Sequence, residues 1–140
     1  MSNFVLISSG SQYPVNRKKI RETVERYLAQ KGIEEAEVSV AIVGNRKMQE
    51  LNRRWRGLNE PTTVLTFALE EPRDEEGILR IGDIVISYPQ AQLIAQEDNL
   101  SMDEAIEKLL IHGLNNLLGD HQNEHNFLSQ ISAAKLSRTG

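Results

Sequence analysis

Hydrophobic and polar residues follow two different periods along the chain, and these periods predict strands and helices. Four segments have the alternation or the β-branched content of strands: residues 3–9, 37–43, 62–69 and 78–87. In the second of them, Val38, Val40 and Ile42 fall on one face. A polar turn at residues 70–77 joins the third strand to the fourth, so these two strands are expected to form a hairpin.

Apolar residues at helical spacing predict five helices, which cover residues 16–31, 45–57, 89–96, 101–119 and 122–136. The fourth helix has the clearest ends, because Ser101 and Glu104 form a capping box and Gly119 stops it. The element order predicts an α+β fold with a mixed central sheet of about four strands packed by about five helices. One compact domain is expected over residues 1–140, with a frayed tail at residues 137–140.

The second predicted helix combines an apolar stripe with a local excess of positive charge. Asn45 is its predicted N-cap, and the stripe of Met48, Leu51 and Trp55 is expected to lie in the core. The net charge of −4 argues weakly against broad, non-specific binding of nucleic acid. A run of basic residues on this helix could still form a local patch that binds nucleic acid, although such a run is commonly just a solvent-exposed helix face. The run consists of Arg46, Lys47, Arg53, Arg54 and Arg56.

Composition narrows the class of protein further. The 140 residues include no cysteine, which excludes disulfides, thiolate metal sites and cysteine nucleophiles and fits a reducing compartment. The first seven residues have the pattern of a strand rather than that of a signal peptide. No apolar run approaches the roughly 20 residues that cross a bilayer. The sequence therefore predicts a soluble, cytoplasmic protein without membrane contact.

The segment from His112 to His121 carries the most specific candidate chemistry. His112 and Asn116 are one helical turn apart, so their side chains lie one above the other beside the apolar stripe. A chain that reverses at Gly119 can bring His121 back toward His112. A catalytic zinc ion typically has three protein ligands and a fourth coordination position that holds a water molecule. The metal activates this water as a nucleophile.

These residues also have purely structural interpretations. A single histidine on a helix flank is commonly a hydrogen-bonded packing residue, and His121 and His125 lie in a polar segment that can equally be an exposed turn. Asn116 is a weaker zinc ligand than an imidazole because its amide is neutral. Its oxygen could bind a harder ion instead, or His125 could supply a third nitrogen. The sequence leaves these alternatives open.

Arg56 is the candidate for contact with a substrate. It ends the second predicted helix, just before Gly57 and the strand that Pro61 opens. An arginine in a last helical turn can bind the free carbonyl groups of its own helix. It can also face a site and hold a phosphate through both of its terminal nitrogens.

Three blocks of the sequence, in order, resemble the YbeY-type family of single-strand-specific endoribonucleases and rRNA maturation factors. Residues 51–57 and 61–67 (LNRRWRG and PTTVLTF) resemble the family block LNxxYRG…PTDVLSF. Residues 82–87 (GDIVIS) resemble the block of the same letters, and residues 112–121 (HGLNNLLGDH) resemble the signature HGxLHLxGYDH. The resemblance covers roughly residues 3–136, and the three blocks together are specific.

The resemblance implies a compact α+β fold and one zinc ion per chain, held by the three signature histidines. It implies an RNA hydrolase that acts on rRNA and other single-stranded RNA and works with the small ribosomal subunit, with no DNA substrate. His112 and His121 match the first and third signature histidines, and Asn116 stands at the position of the second. Arg56 matches the arginine that the family places near the metal as a catalytic or substrate-binding residue.

Departures from the family pattern concern the site. Asn116 replaces an imidazole, the aromatic residue that precedes Asp120 in the signature is missing, and Thr63 stands where the family has an aspartate. The main hypothesis is a metal-dependent endoribonuclease of rRNA maturation and ribosome biogenesis. The alternative is a non-catalytic, ribosome- or RNA-binding member with a degenerate metal site. A peptide hydrolase is disfavoured, because Gly113 stands where the metalloprotease motif HExxH has its glutamate.

Overall fold

The structure, a computed structural model, describes residues 3–119 of the chain. Its elements follow in the order β1 (Phe4–Ser9), α1 (Arg17–Gln30), β2 (Ala36–Val43), α2 (Asn45–Arg56), β3 (Val64–Ala68), β4 (Leu79–Ser87), α3 (Tyr88–Glu97) and α4 (Met102–Leu118). Predicted and observed boundaries agree to within about two residues for every one of these elements. The fifth predicted helix, residues 122–136, lies outside the described part of the chain.

The four strands form one mixed sheet in the order β1-β2-β4-β3. β1, β2 and β4 are parallel, and β3 pairs with β4 in the antiparallel direction. The predicted α+β class, the mixed sheet of four strands and the β3–β4 hairpin are therefore confirmed. In the described part of the chain, no helix has the length and hydrophobicity that a bilayer crossing requires.

Helices cover the two faces of the sheet unequally. α1, α3 and α4 pack on one face and enclose the main core, in which Ile84 of the central strand β4 is fully buried. α2 packs alone on the other face, where Met48 contacts the layer formed by Leu65 and Val85. On that second face the residues of β1 stay uncovered by any described helix, and Leu6 is 52% exposed. The molecule thus has one closed and one partly open sheet face.

Two glycines let neighbouring elements approach β4 closely. A Cβ atom on Gly113 of α4 would lie 2.8 Å from Cγ2 of Ile84, so only glycine permits the observed distance between helix and strand. Gly82 has φ +151°, and a Cβ atom there would collide with the carbonyl oxygen of Phe67 on β3.

The predicted N-cap of α2 is wrong. Gly44 is the N-cap, and Asn45 is the first helical residue. The side-chain oxygen of Asn45 instead accepts hydrogen bonds from Oγ of Ser87 (3.0 Å) and Nε2 of Gln90 (3.2 Å). Two residues at the start of α3 therefore bind the side-chain oxygen that was expected to cap α2. This is a tertiary contact, and the local sequence does not reveal it.

The predicted core position of Trp55 is also wrong. Its side chain is 60% exposed, whereas the buried residues of α2 are Met48 and Asn52. Trp55 lies in the last turn of α2 and contacts Phe67 of β3. The helical spacing correctly placed Trp55 on the sheet side of α2, but the residue borders a part of the sheet face that no described helix covers.

The predicted capping box at the start of α4 is confirmed and gives a first testable expectation. Ser101 Oγ accepts from the Glu104 backbone N–H (3.1 Å), and Glu104 accepts in return from the Ser101 N–H (2.8 Å). Replacing Ser101 with alanine should lower the free energy of unfolding by about 1 kcal/mol, measured by urea denaturation at neutral pH.

The stabilisation by this capping box should depend on pH. Hydrogen bonds from the backbone and then the side chain of Ser101 lower the pKa of the Glu104 carboxyl below its usual 4.5. A group whose pKa is depressed by folding stabilises the protein above its unfolded pKa and loses that effect as the pH falls. Because Ser101→Ala keeps the backbone N–H that binds this carboxylate, Glu104→Gln isolates the charge, and the difference in stability between Glu104→Gln and the wild type should shrink below about pH 4.5. A difference that stays constant down to pH 3 would contradict the role of the charged Glu104.

Candidate functional site

His112 lies on the exposed side of α4, in a shallow pocket of about 350 Å³. The capping box fixes the start of α4, and its apolar face fixes its rotation on the sheet, so the position of His112 follows from the packing of the helix. Asn116, one turn further on, is half-buried. The pocket wall next to His112 is formed by Asn115 rather than by Asn116. Its other lining residues are Thr63, Lys108, Leu109 and Ile111.

The C-terminal end of α4 is tied to α1. The Tyr27 hydroxyl donates a hydrogen bond of 2.6 Å to Oδ1 of Asn115, and burial raises the pKa of Tyr27, so this hydroxyl remains a proton donor. Nζ of Lys31 donates to the carbonyl oxygen of Gly119 at 3.0 Å. Gly119 ends α4 as predicted. The two contacts fix the point from which the chain continues toward His121.

Arg56 has the most unusual environment among the charged residues of the described chain. Both terminal nitrogens of its guanidinium group are buried, and neither has a hydrogen-bond partner among residues 3–119. The same burial lowers the pKa of Arg56. Near the helix end, the carbonyl groups of Arg53 and Asn52 accept from the backbone N–H groups of Gly57 (3.0 Å) and Leu58 (3.3 Å). Since its terminal nitrogens bind no carbonyl group among residues 3–119, Arg56 does not cap its own helix through them.

The segment from residue 57 to residue 63 leads from Arg56 to the His112 pocket. Gly57 starts it in a left-handed conformation (φ +73°). The buried side chain of Asn52 holds its middle, by donating a hydrogen bond of 2.8 Å to the carbonyl oxygen of Glu60. Thr63 ends the segment: its carbonyl oxygen accepts from the N–H of Ser87 at 3.0 Å, and the residue lines the pocket of His112. One anchored segment thus connects the end of α2, which carries Arg56, to a residue that lines the pocket of His112.

The described residues supply only part of a metal site. No three histidine, aspartate or glutamate side chains converge anywhere between residues 3 and 119. His112 offers one imidazole nitrogen, and Asn116 offers an amide oxygen, which is a weak ligand for zinc. The predicted third ligand, His121, and its alternative, His125, lie outside the described residues. The described donors are therefore short of the three ligands of a catalytic zinc.

Sequence reasoning missed several residues of the site. Lys108 and Asn115 line the pocket of His112, and Trp55 is exposed near the end of α2. Lys108 lies one turn before His112, a spacing that could have identified it, and it pairs with Asp98 at 2.9 Å. Asn115 could not have been identified from its spacing to His112, because its side-chain orientation depends on a hydrogen bond from Tyr27 of a different helix.

Comparison with known proteins gives consistent matches over most of the chain. A family model described as Endoribonuclease YbeY matches residues 7–134. A protein named Endoribonuclease YbeY from Persephonella marina is 38% identical over 109 residues, which are 77% of this chain and 71% of the relative. One of the same name from Bacillus cereus is 39% identical over 114 residues, or 75% and 73% of the two chains. The solution structure of TM1509 from Thermotoga maritima is 26% identical and superimposes with a TM-score of 0.56, covering 83% of this chain and 72% of that one.

Proposed function

Because the chain belongs to the YbeY endoribonuclease family, as its three sequence blocks predicted, we propose that it is a metal-dependent endoribonuclease for single-stranded RNA. We place its role in rRNA maturation and ribosome biogenesis in the cytoplasm, with the small ribosomal subunit as its partner. The observation that carries the proposal is the guanidinium group of Arg56, whose two terminal nitrogens are buried and have no hydrogen-bond partner among residues 3–119.

An anionic ligand is the partner that the Arg56 environment favours. Removing a cation from water without a counter-charge costs free energy, and a hydrogen-bonded anion offsets this cost. The guanidinium remains charged at neutral pH even though burial lowers its pKa. Its planar fork presents two N–H donors to two oxygens of one phosphate group. Arg56 would thus hold the phosphate that undergoes cleavage and stabilise the negative charge that develops on it.

His112 and Asn116, together with His121, are the residues that we propose hold a zinc ion. When bound, such an ion would lower the pKa of a water molecule and neutralise phosphate charge. Helix α2 would supply further positive charge for binding RNA phosphates. It carries five cationic residues and one carboxylate, although the whole chain has a net charge of −4. This contrast supports RNA binding at one region rather than over the whole surface.

Metal content and RNA cleavage test this proposal together. Protein purified without chelator and without a metal-binding tag should contain about one zinc per chain by elemental analysis, and His112→Ala should lose it. The same variant should lose cleavage of a single-stranded RNA. Asn116→His supplies a second imidazole on α4 and should tighten zinc binding at least about tenfold, measured by competition with a chromogenic chelator. Lys108→Ala, at the same pocket but without a metal-ligating role, is the matched control and should keep its zinc.

The outcomes separate the candidate functions. RNA cleavage that His112→Ala does not alter would refute the proposed chemistry. Absence of metal from the wild type, combined with chelator-insensitive binding to RNA or ribosomes, would identify a non-catalytic member with a degenerate site. The replacement of an imidazole by Asn116 is the observation that favours this second candidate.

A further inference from the structure

A groove of about 780 Å³ runs over the open face of the sheet, outside the pocket of His112. α2 forms one wall, the exposed part of β1 forms the opposite side, and the central strands form the floor. The residues that define it include Leu6, Ser39, Leu51, Trp55, Phe67 and Asp83. The groove shares α2 with the candidate active site, because Trp55 and Arg56 are adjacent in the chain.

Trp55 presents an unusually accessible aromatic ring in this groove. Its side chain is 60% exposed, the largest value among the large hydrophobic residues of the described chain. Phe67 lies 5.7 Å away between ring centroids, with the ring planes inclined by 68°. In such an edge-to-face contact, Phe67 can cover at most one face of the indole. The contact therefore restrains the orientation of Trp55 and leaves at least one of its faces available for stacking.

Positive charge lies along the same side of α2. Lys47, Leu51, Arg54 and Trp55 have the relative positions i, i+4, i+7 and i+8, so they share one helix face. Arg54 is exposed and forms no ion pair with any residue between 3 and 119. Lys47 has only an exposed contact of 3.7 Å with Glu50, which is too weak to neutralise it. An aromatic face in the groove is thus flanked by two cations at the rim formed by α2.

We propose that this groove binds a segment of single-stranded RNA, with one base stacked on Trp55 and the adjoining phosphate held by Arg54. This inference rests on the proposed function and adds the position of the strand next to Arg56. Unpaired bases stack on aromatic side chains while cations follow their phosphates, which is the general mode of single-strand recognition. A duplex is excluded from this mode because its bases are already stacked on each other.

The charge at the floor of the groove sets the orientation of the strand. The half-buried carboxylate of Asp83 lines the groove and repels phosphate groups. The bases, which carry no charge, therefore lie inward over Asp83 and Phe67. The phosphates lie outward at the rim of α2, where Lys47 and Arg54 stand.

Fluorescence of Trp55 provides a direct test, because it is the only tryptophan of the chain. In the presence of a chelator that prevents cleavage, an oligoadenylate of about ten nucleotides should quench this fluorescence, and a duplex of equal length should not. Trp55→Ala should weaken the binding of fluorescein-labelled oligoadenylate about fivefold to 150-fold, and Trp55→Phe should retain most of the affinity. Leu93→Ala, at an exposed apolar residue of α3, is the control.

Two arginines in the last turn of α2 form a matched pair for the phosphate contact. Arg53 and Arg54 are both exposed and unpaired among the described residues, but Arg53 precedes Trp55 by two positions and points about 160° away from it around the helix, whereas Arg54 is about 100° away. Arg54→Ala should weaken binding and reduce the slope of log affinity against log salt by roughly 0.7. Arg53→Ala should change both quantities less than Arg54→Ala does.

The possible results distinguish this inference from the proposed function. If wild-type protein binds or cleaves single-stranded RNA while Trp55→Ala binds it equally well, the groove inference is wrong and the proposed function stands. Equal losses from Arg53→Ala and Arg54→Ala would also overturn the geometry. If the wild type neither binds nor cleaves single-stranded RNA with zinc present, the proposed function itself fails. Quenching by a basic peptide and none by RNA would overturn the inference in favour of a protein-docking groove.

Discussion

Replacing Arg56 with methionine is expected to lower the rate of RNA cleavage by about a hundredfold or more without destabilising the fold. Methionine keeps an unbranched apolar side chain but removes the cation, whose terminal nitrogens are buried without a partner among residues 3–119. Loss of an uncompensated buried charge removes an unfavourable term from folding, so the melting temperature should be unchanged or higher. A residue that matters only for structure would show the opposite result, a lower melting temperature with activity reduced in proportion.

Two further variants sharpen the test of Arg56. Arg56→Lys keeps the charge but loses the planar fork, and it should therefore recover only a minor part of the cleavage rate. Arg53→Met changes an exposed arginine on the same helical turn and should leave the cleavage rate within a few-fold of wild type. Single-turnover measurement separates the chemical step from RNA binding. If Arg56→Met cleaves RNA as fast as the wild type, Arg56 has no role in the reaction.

The fold was largely predictable because local signals agree with the tertiary structure. β2 alternates strictly between buried and half-buried residues, and α4 has a capping box at its start and a glycine at its end. Gly82 and Gly113 stand where β3 and α4 approach β4 closely. In each case, the feature depends on periodicity or on a residue with one distinctive conformational property.

The errors arose where a remote contact decides the outcome. Asn45 has the chemistry of an N-cap, but Ser87 and Gln90 bind its side chain instead. Trp55 has the spacing of a core residue, but it borders a sheet face that no second described helix covers, and it stays exposed. The sequence around α2 reveals neither which part of the sheet is covered nor which later residues bind the Asn45 side chain.

In the candidate site, too, some features could be predicted from local sequence and others depend on remote contacts. Its proposed metal ligands came from helical spacing and from the family resemblance. The choice between a capping arginine and a substrate-binding arginine could not be made from sequence, since both interpretations place Arg56 at the same helix end. The structure favours the second, because the terminal nitrogens of Arg56 bind no carbonyl group among residues 3–119. The contributions of His121 and His125 stay predictions, since both lie outside the described residues.

Gly82→Ala is expected to produce the largest loss of stability of any single substitution considered for this chain, about 3 kcal/mol or more. Its φ of +151° is a conformation that residues with a Cβ atom rarely adopt, so alanine would be strained even in open space. The space is also closed: the added Cβ atom would collide with the Phe67 carbonyl oxygen and lie 3.1 Å from Cδ2 of Leu117. Relief of these contacts requires β3 or α4 to move away from β4.

Gly77→Ala is the matched control for Gly82→Ala, because it separates backbone strain from steric collision. Gly77 also has a positive φ, +82°, but no atom lies within 4 Å of a Cβ atom built on it. Its replacement should therefore cost only the strain of a left-handed residue, about 1–2 kcal/mol. Urea denaturation with an unchanged m-value gives both free energies. Equal losses for the two variants would contradict the steric argument. A larger loss at Gly82 would support the view that close packing on β4 positions its two neighbours, β3 and α4. Phe67 of β3 contacts Trp55, and α4 carries His112.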